Sequence, residues 1–161
     1  MLRISKLTDY GIMLLTHMAC GSAVEKYSAP ELAERSHLSL HTVSKLLKAL
    51  ARMGLLRAHR GVKGGFSLAR RPEDISVAEI IRALEGPIAI TECNLHPPGQ
   101  CGLEHLCPVG NHWQQINQAV QDALEGLTLA AMVRPLPRTV ALFRNTEKKV
   151  HPPSDSSREV L

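Results

Sequence analysis

Aromatic residues are scarce in this chain: one Trp, two Tyr and two Phe make up 3% of its 161 residues. Since 44% of the residues are apolar overall, any core must be built from aliphatic side chains. Long apolar runs are missing too, and none reaches the roughly 18–20 residues that span a bilayer. The start, Met1-Leu2-Arg3-Ile4-Ser5-Lys6, has no apolar stretch between a basic head and a cleavage site, so no secretory signal is expected. A cytoplasmic, reducing setting is the resulting expectation, in which the four cysteines read as thiols or metal ligands before disulfides. No C-x2-C pair occurs, which weighs against a zinc ribbon. A nucleophile–base set and a second cofactor motif are also lacking, so the chain is not expected to be an enzyme.

Charge is present but unevenly spread. Residues 1–70 hold 11 Lys/Arg against 4 Asp/Glu, whereas residues 71–133 hold 2 against 8. The net charge of +4 therefore hides a basic first half and an acidic second half. That asymmetry points to a polyanionic partner for the first half.

Hydrophobic spacing predicts a helix over residues 7–20, with Thr8 or Asp9 as cap or first-turn acid and Cys20 as a small core residue. Ser28 and Glu31 form the pattern of a capping box for a second helix over 29–35, with Pro30 in its first turn. Ser39 then caps a third helix through residue 53, with Val43, Leu46, Leu47 and Leu50 as its apolar stripe. Gly54 stops it. Residues 55–59 and 65–69 read as two strands around the basic, glycine-rich tip Arg60-Gly61-Val62-Lys63-Gly64. Ser76 and Glu79 open a fourth helix, which Gly86-Pro87 ends. Residues 88–107 lose periodicity and gain Pro and Gly. A long helix then runs from Pro108 to Gly126, with Trp113, Ile116, Val120, Ala123 and Leu124 along it, and Thr128 can cap a last turn. From residue 134 onward, prolines and scattered charges predict a largely disordered tail. There is no internal repeat.

Three short helices followed by a hairpin describe a winged helix-turn-helix, mainly α with a small β wing. In that architecture the third helix enters the major groove of double-stranded DNA, and Ser39, His41, Thr42, Ser44, Lys45 and Lys48 are its candidate readers. Arg60 and Lys63 on the wing tip are the candidate backbone contacts. Outward Lys and Arg on one helix usually do no more than solvate it. The joint occurrence of turn, basic wing and local charge favours DNA.

Cys93, Cys101 and Cys107 are spaced C-x7-C-x5-C in the loop. Thiolates suit Zn²⁺ and iron–sulfur iron alike, so spacing alone implies a metal site of open identity, one ligand short. His96, His105 and His112 are the nearby candidates for the fourth place.

The start Leu2-Arg3-Ile4-Ser5-Lys6-Leu7-Thr8-Asp9-Tyr10, the 39–54 segment, the wing Arg60-Gly61-Val62-Lys63-Gly64-Gly65-Phe66, the run Ile75-Ser76-Val77-Ala78-Glu79-Ile80-Ile81 and the three cysteines resemble one family. It is that of the iron–sulfur-dependent winged-helix repressors, which includes the IscR cluster-assembly regulator and the NsrR nitric oxide sensor. Leu84-Glu85-Gly86-Pro87-Ile88 and Cys107-Pro108-Val109 with Trp113 look most like its SUF-system regulator. The resemblance implies a DNA-binding domain over 1–86, a cluster loop over 87–107, a dimerisation helix over 108–133 and a tail over 134–161. It further implies a homodimer holding an iron–sulfur cluster, 2Fe–2S in preference to 4Fe–4S, on the three cysteines and a fourth ligand. The family's histidine position corresponds here to Gly110, which favours Asp9 from the partner subunit, with His112 as the alternative. A zinc-stabilised regulator and a nitric oxide or redox sensor of the same family are the other readings.

Overall fold

Four serines set where the helices of the first half begin. Ser5, Ser28, Ser39 and Ser76 stand in extended conformation, and each hydroxyl accepts a hydrogen bond from the backbone N–H three residues on. They open α1 (Lys6–Ala19), α2 (Ala29–Ser36), α3 (Leu40–Arg52) and α4 (Val77–Glu85). Each such cap is worth about 1 kcal/mol. The computed structural model describes residues 4–21, 25–61, 64–94 and 106–133, so the tail expected over 134–161 lies outside the described residues.

Details of capping depart from expectation. The cap of α1 is Ser5, with Thr8 buried at the third helical position and Asp9 in the first turn. Ser76 and Glu79 make the full reciprocal box. Glu31 is instead drawn to Arg35 one turn on, at 2.8 Å. Cys20 is not a core residue: it is the exposed C-cap of α1.

Gly54, at φ 76°, turns the chain out of α3 and into β1 (Leu56–His59), which pairs antiparallel with β2 (Gly65–Leu68). The register sets Leu56 opposite Leu68 and Arg57 opposite Ser67. Tyr27 adds a third row, exchanging backbone hydrogen bonds of 2.9 and 2.8 Å with Phe66. The core beneath is aliphatic, as the composition requires. Leu14, Leu15, Leu32, Val43, Leu47, Leu50, Ile75 and Ile80 are fully enclosed, and Tyr27 is the one aromatic among the buried described residues.

Past α4 the chain leaves this core and later returns to it. A one-turn 3-10 helix at Glu92–Asn94 precedes α5 (Gly110–Glu125) and the short α6 (Leu129–Val133). The return is held by two backbone hydrogen bonds of 2.8 Å, from the Val77 N–H to the Leu127 carbonyl and from the Leu129 N–H to the Ile75 carbonyl. Thr128 caps α6 by accepting from the Ala131 N–H, and Leu129 is fully buried in the core. Along α5, by contrast, Asn117 is the one buried residue.

Candidate nucleic-acid interface and cysteine segment

The apolar stripe of α3 (Val43, Leu46, Leu47, Leu50) is buried, which turns the opposite face to solvent. On that face His41, Lys45 and Lys48 are exposed at helical intervals, and Arg52 continues the line. Thr42 and Ser44 are half-buried beside them. Ser39 Oγ accepts from the Thr42 N–H at 3.2 Å and lies 2.9 Å from Thr42 Oγ1. One of those hydroxyls donates to the other, which leaves a single O–H between them for an outside acceptor. The helix N-terminus adds a partial positive charge at the same place. Sequence reasoning passed over Leu40. It is 50% exposed in the first turn of α3, an apolar side chain suited to a thymine methyl. Arg60 is exposed at the end of β1, and Lys63 lies outside the described residues.

Cys93 sits in the turn at Glu92–Asn94, half-buried, and Cys107 is half-buried just before α5. Both are free thiols. Cys101, His96 and His105 lie outside the described residues. Thr91 Oγ1 is 3.1 Å from the Cys93 sulfur. Asn94 Nδ2 donates to Thr91 Oγ1 at 2.8 Å and to the Trp113 carbonyl of α5 at 3.4 Å. A second clasp lies alongside. Asn117 accepts from the Ile90 N–H at 3.0 Å and donates to the Ile88 carbonyl, to which Gln121 also donates at 2.9 Å. A cleft of about 610 Å³ runs between this segment and α5, with Cys93, Arg82 and Asn117 in its lining.

These amides were missed from the sequence, although a signal was there. Gln114, Asn117, Gln118 and Gln121 recur at i, i+3, i+4 and i+7, a polar stripe on one face of α5. Sequence reading attended to the apolar residues of the same helix, and several of these are open to solvent: Trp113 is 37% and Ile116 46% exposed.

The other predicted ligands lie apart from a complete set. Asp9 is exposed in the first turn of α1, and His112 is exposed in the first turn of α5. Among the described residues, no three of His, Cys, Asp and Glu come together as a metal site. The donor chemistry nonetheless suits an iron–sulfur group: two free thiols are sheltered without being sealed, and one has a hydroxyl within reach of its sulfur.

Carboxylates secure the frame around both regions. The Thr8 hydroxyl and the Ser5 N–H hold the Glu85 carboxyl below the ordinary carboxylate range, joining the start of α1 to the end of α4. Burial pushes Glu79 upward, but its bonds from Arg70 and the Ser76 N–H, with the charges of Arg70 and Arg82, outweigh it and keep the carboxyl low. Arg82 also pairs with Glu125, fastening α4 to α5.

Comparison with known proteins agrees with this architecture. The model of the Rrf2 family, described as iron-dependent transcriptional regulators, matches residues 4–135. CymR of Bacillus subtilis, an HTH-type transcriptional regulator, is 31% identical over 129 residues, 80% of this chain and 87% of CymR. Protein Rrf2 of Nitratidesulfovibrio vulgaris is 28% identical over 133 residues, 83% of this chain and 88% of that protein. Among solved structures, the B. subtilis global cysteine regulator CymR superposes with a TM-score of 0.65, covering 83% of this chain and 97% of CymR. IscR of T. potens gives a TM-score of 0.62 at 29% identity, covering 82% and 86%. The winged-helix fold with its C-terminal helix is shared. The likeness reaches differently named regulators at nearly the same identity and does not single out a SUF-system regulator. Among the described residues no helix is long and apolar enough to cross a membrane. By family match, by identity and by fold, the chain belongs to the Rrf2 transcriptional regulators, DNA-binding proteins that act as dimers and are not enzymes.

Proposed function

We propose that the chain is a cytoplasmic repressor whose hold on its operator is set by an iron–sulfur cluster bound by Cys93, Cys101 and Cys107. One observation carries the reading. The Cys93 sulfur is joined through Thr91 and Asn94 to the backbone of α5, so a change at the sulfur has a short polar path to that helix. In this reading two copies meet along the exposed apolar residues of α5, Trp113 and Ile116 among them. The spacing of their two recognition helices then depends on how α5 sits, since half-sites are read one helical turn apart. The fourth ligand is Asp9 of the partner subunit, with His112 as the alternative. Cys93, Cys101 and Cys107 with that fourth ligand would hold the cluster, 2Fe–2S in preference to 4Fe–4S, which would supply redox chemistry there when bound. In this reading the regulated genes are those of cluster assembly, the role that the resemblance to iron–sulfur-dependent repressors implies.

On the DNA side, Ser39, His41, Thr42, Ser44, Lys45 and Lys48 read and position at the major groove, while Arg60 and Lys63 hold the backbone at the wing. The amide clasp from Asn117 and Gln121 fixes the segment leading to Cys93 against α5, and Arg82 with Glu125 fixes α5 to the DNA-binding unit.

Anaerobic purification is the test. The wild type is expected to carry iron and acid-labile sulfide, and Mössbauer spectra report the nuclearity. Cys93→Ala is expected to stay a folded dimer, lose the iron and sulfide, and bind the operator with altered affinity. A colourless zinc protein, or equal operator affinity for wild type, apo form and Cys93→Ala, overturns the proposal.

A further inference from the structure

The outer face of the hairpin carries a charge pattern that the recognition helix and wing tip do not use. Side chains alternate across a sheet, so with Leu56 and Leu68 turned to the core, Arg57, His59 and Ser67 turn outward. The Tyr27–Phe66 pairing sets Lys26 beside Ser67 in the same row. Lys26, Ser67 and Arg57 therefore lie in line across the two strands and the Tyr27 bridge, with the backbones of Lys26 and Arg57 about 10 Å apart, two strand spacings. Arg70 and Arg71 join them in lining a cleft of about 320 Å³, and among the described residues no carboxylate lines it.

These cations are not alike. Arg70 is held by Glu79 and the Asp74 carbonyl, and Arg71 by Asp74. Lys26 and Arg57 are exposed, and among the described residues neither has a carboxylate within salt-bridge distance. Between them Ser67 is buried, its hydroxyl 2.8 Å from His59 Nε2. Unpaired like charges gathered on one sheet face repel one another unless an anion neutralises them. β1 ends at His59 and the exposed Arg60 follows it directly, so this face borders the start of the wing loop.

We propose that this face is a second duplex contact, in which Lys26 and Arg57 neutralise backbone phosphates of DNA flanking the operator. The site takes phosphodiester oxygens. Lys26 and Arg57 are exposed and stand on separate stretches of backbone, which favours an extended polymer backbone over a single free phosphate. The proposal rests on the chain's reading of duplex DNA through α3, which the control below tests separately.

The experiment measures duplex affinity of the full-length dimer across a salt series, on operators with and without flanking DNA. The double variant Lys26→Gln/Arg57→Gln is compared with Lys48→Gln on α3. Each phosphate contact contributes about 0.9 to the slope of log K against log salt, so the double variant is expected to lose roughly 2 from the slope. The loss should occur on flanked duplexes, with affinity down about tenfold or more at low salt. It should be equal for operator and scrambled sequences, because phosphate contacts carry no sequence information. An unchanged slope for the double variant, while Lys48→Gln lowers its own, overturns this contact and spares the α3 reading. Unchanged slopes in both count against the two together. Loss of inorganic phosphate binding in the double variant, without a change in duplex slope, identifies a small-anion site and also overturns the proposal.

Discussion

The described residues of 5–85 and those of 86–126 are held by different forces. In the first region leucines, isoleucines and valines close on one another, and every α-helix starts on a serine cap. In the second, α5 buries a single side chain, Asn117, and lies against the rest through amides and one ion pair. Burying a leucine stabilises by roughly 1.5–3 kcal/mol, while a hydrogen bond nets about 1 kcal/mol because water competes for the same groups. The first region, with Leu129 returned to its core, is therefore the more firmly held. The second is held less tightly and can be repositioned at smaller cost. Its exposed Trp113 and Ile116 are the kind of surface a second subunit covers.

The largest way to break this contrast is to strike the core. Leu47→Ala is expected to cost about 2–5 kcal/mol, read as a fall in the denaturant midpoint of the whole winged unit. A change below 1 kcal/mol would mean the core is looser than its full enclosure implies. Asn117→Ala is expected to act on the other side of the contrast, by about 1–3 kcal/mol and locally. Hydrogen exchange at the Ile90 amide should quicken while the winged unit melts at its usual point. If the two change together, the regions are one cooperative unit. The smallest effect is expected from acid. Glu85 is held below its ordinary range by Thr8 and Ser5, so its contribution is complete above that range and fades as pH falls through the lowered value. Melting temperature followed downward in pH should converge for wild type and Glu85→Gln, and parallel curves would remove Glu85 from the link between α1 and α4.

Much of the first region was legible because its signals are local. Ser28, Ser39 and Ser76 announce their helices, and the spacing of Val43, Leu46, Leu47 and Leu50 gives the buried side of α3. Errors arose where two local signals competed. Ser5 takes the cap of α1 from Thr8, with Asp9 the first-turn acid as expected, and Glu31 finds Arg35 one turn on in place of the backbone. Cys20 was placed in the core by periodicity, but it is the cap just past α1, turned away from the side on which Met18 keeps the last turn buried. In the second region the polar stripe of α5 was in the sequence, but nothing local said that Asn117 would be buried. Its partners are 27 and 29 residues away.

The sequence by itself determined the helices, the hairpin, the basic outer face of α3 and the spacing of the three cysteines, because caps, periodicity and side-chain charge act over a few residues. Only the tertiary structure decided that Leu129 completes the core of the DNA-binding unit, that amides tie the cysteine segment to α5, and that Lys26 joins Arg57 on the back of the wing. Those arrangements join residues far apart in the chain, and contacts at that range are chosen by how the elements pack.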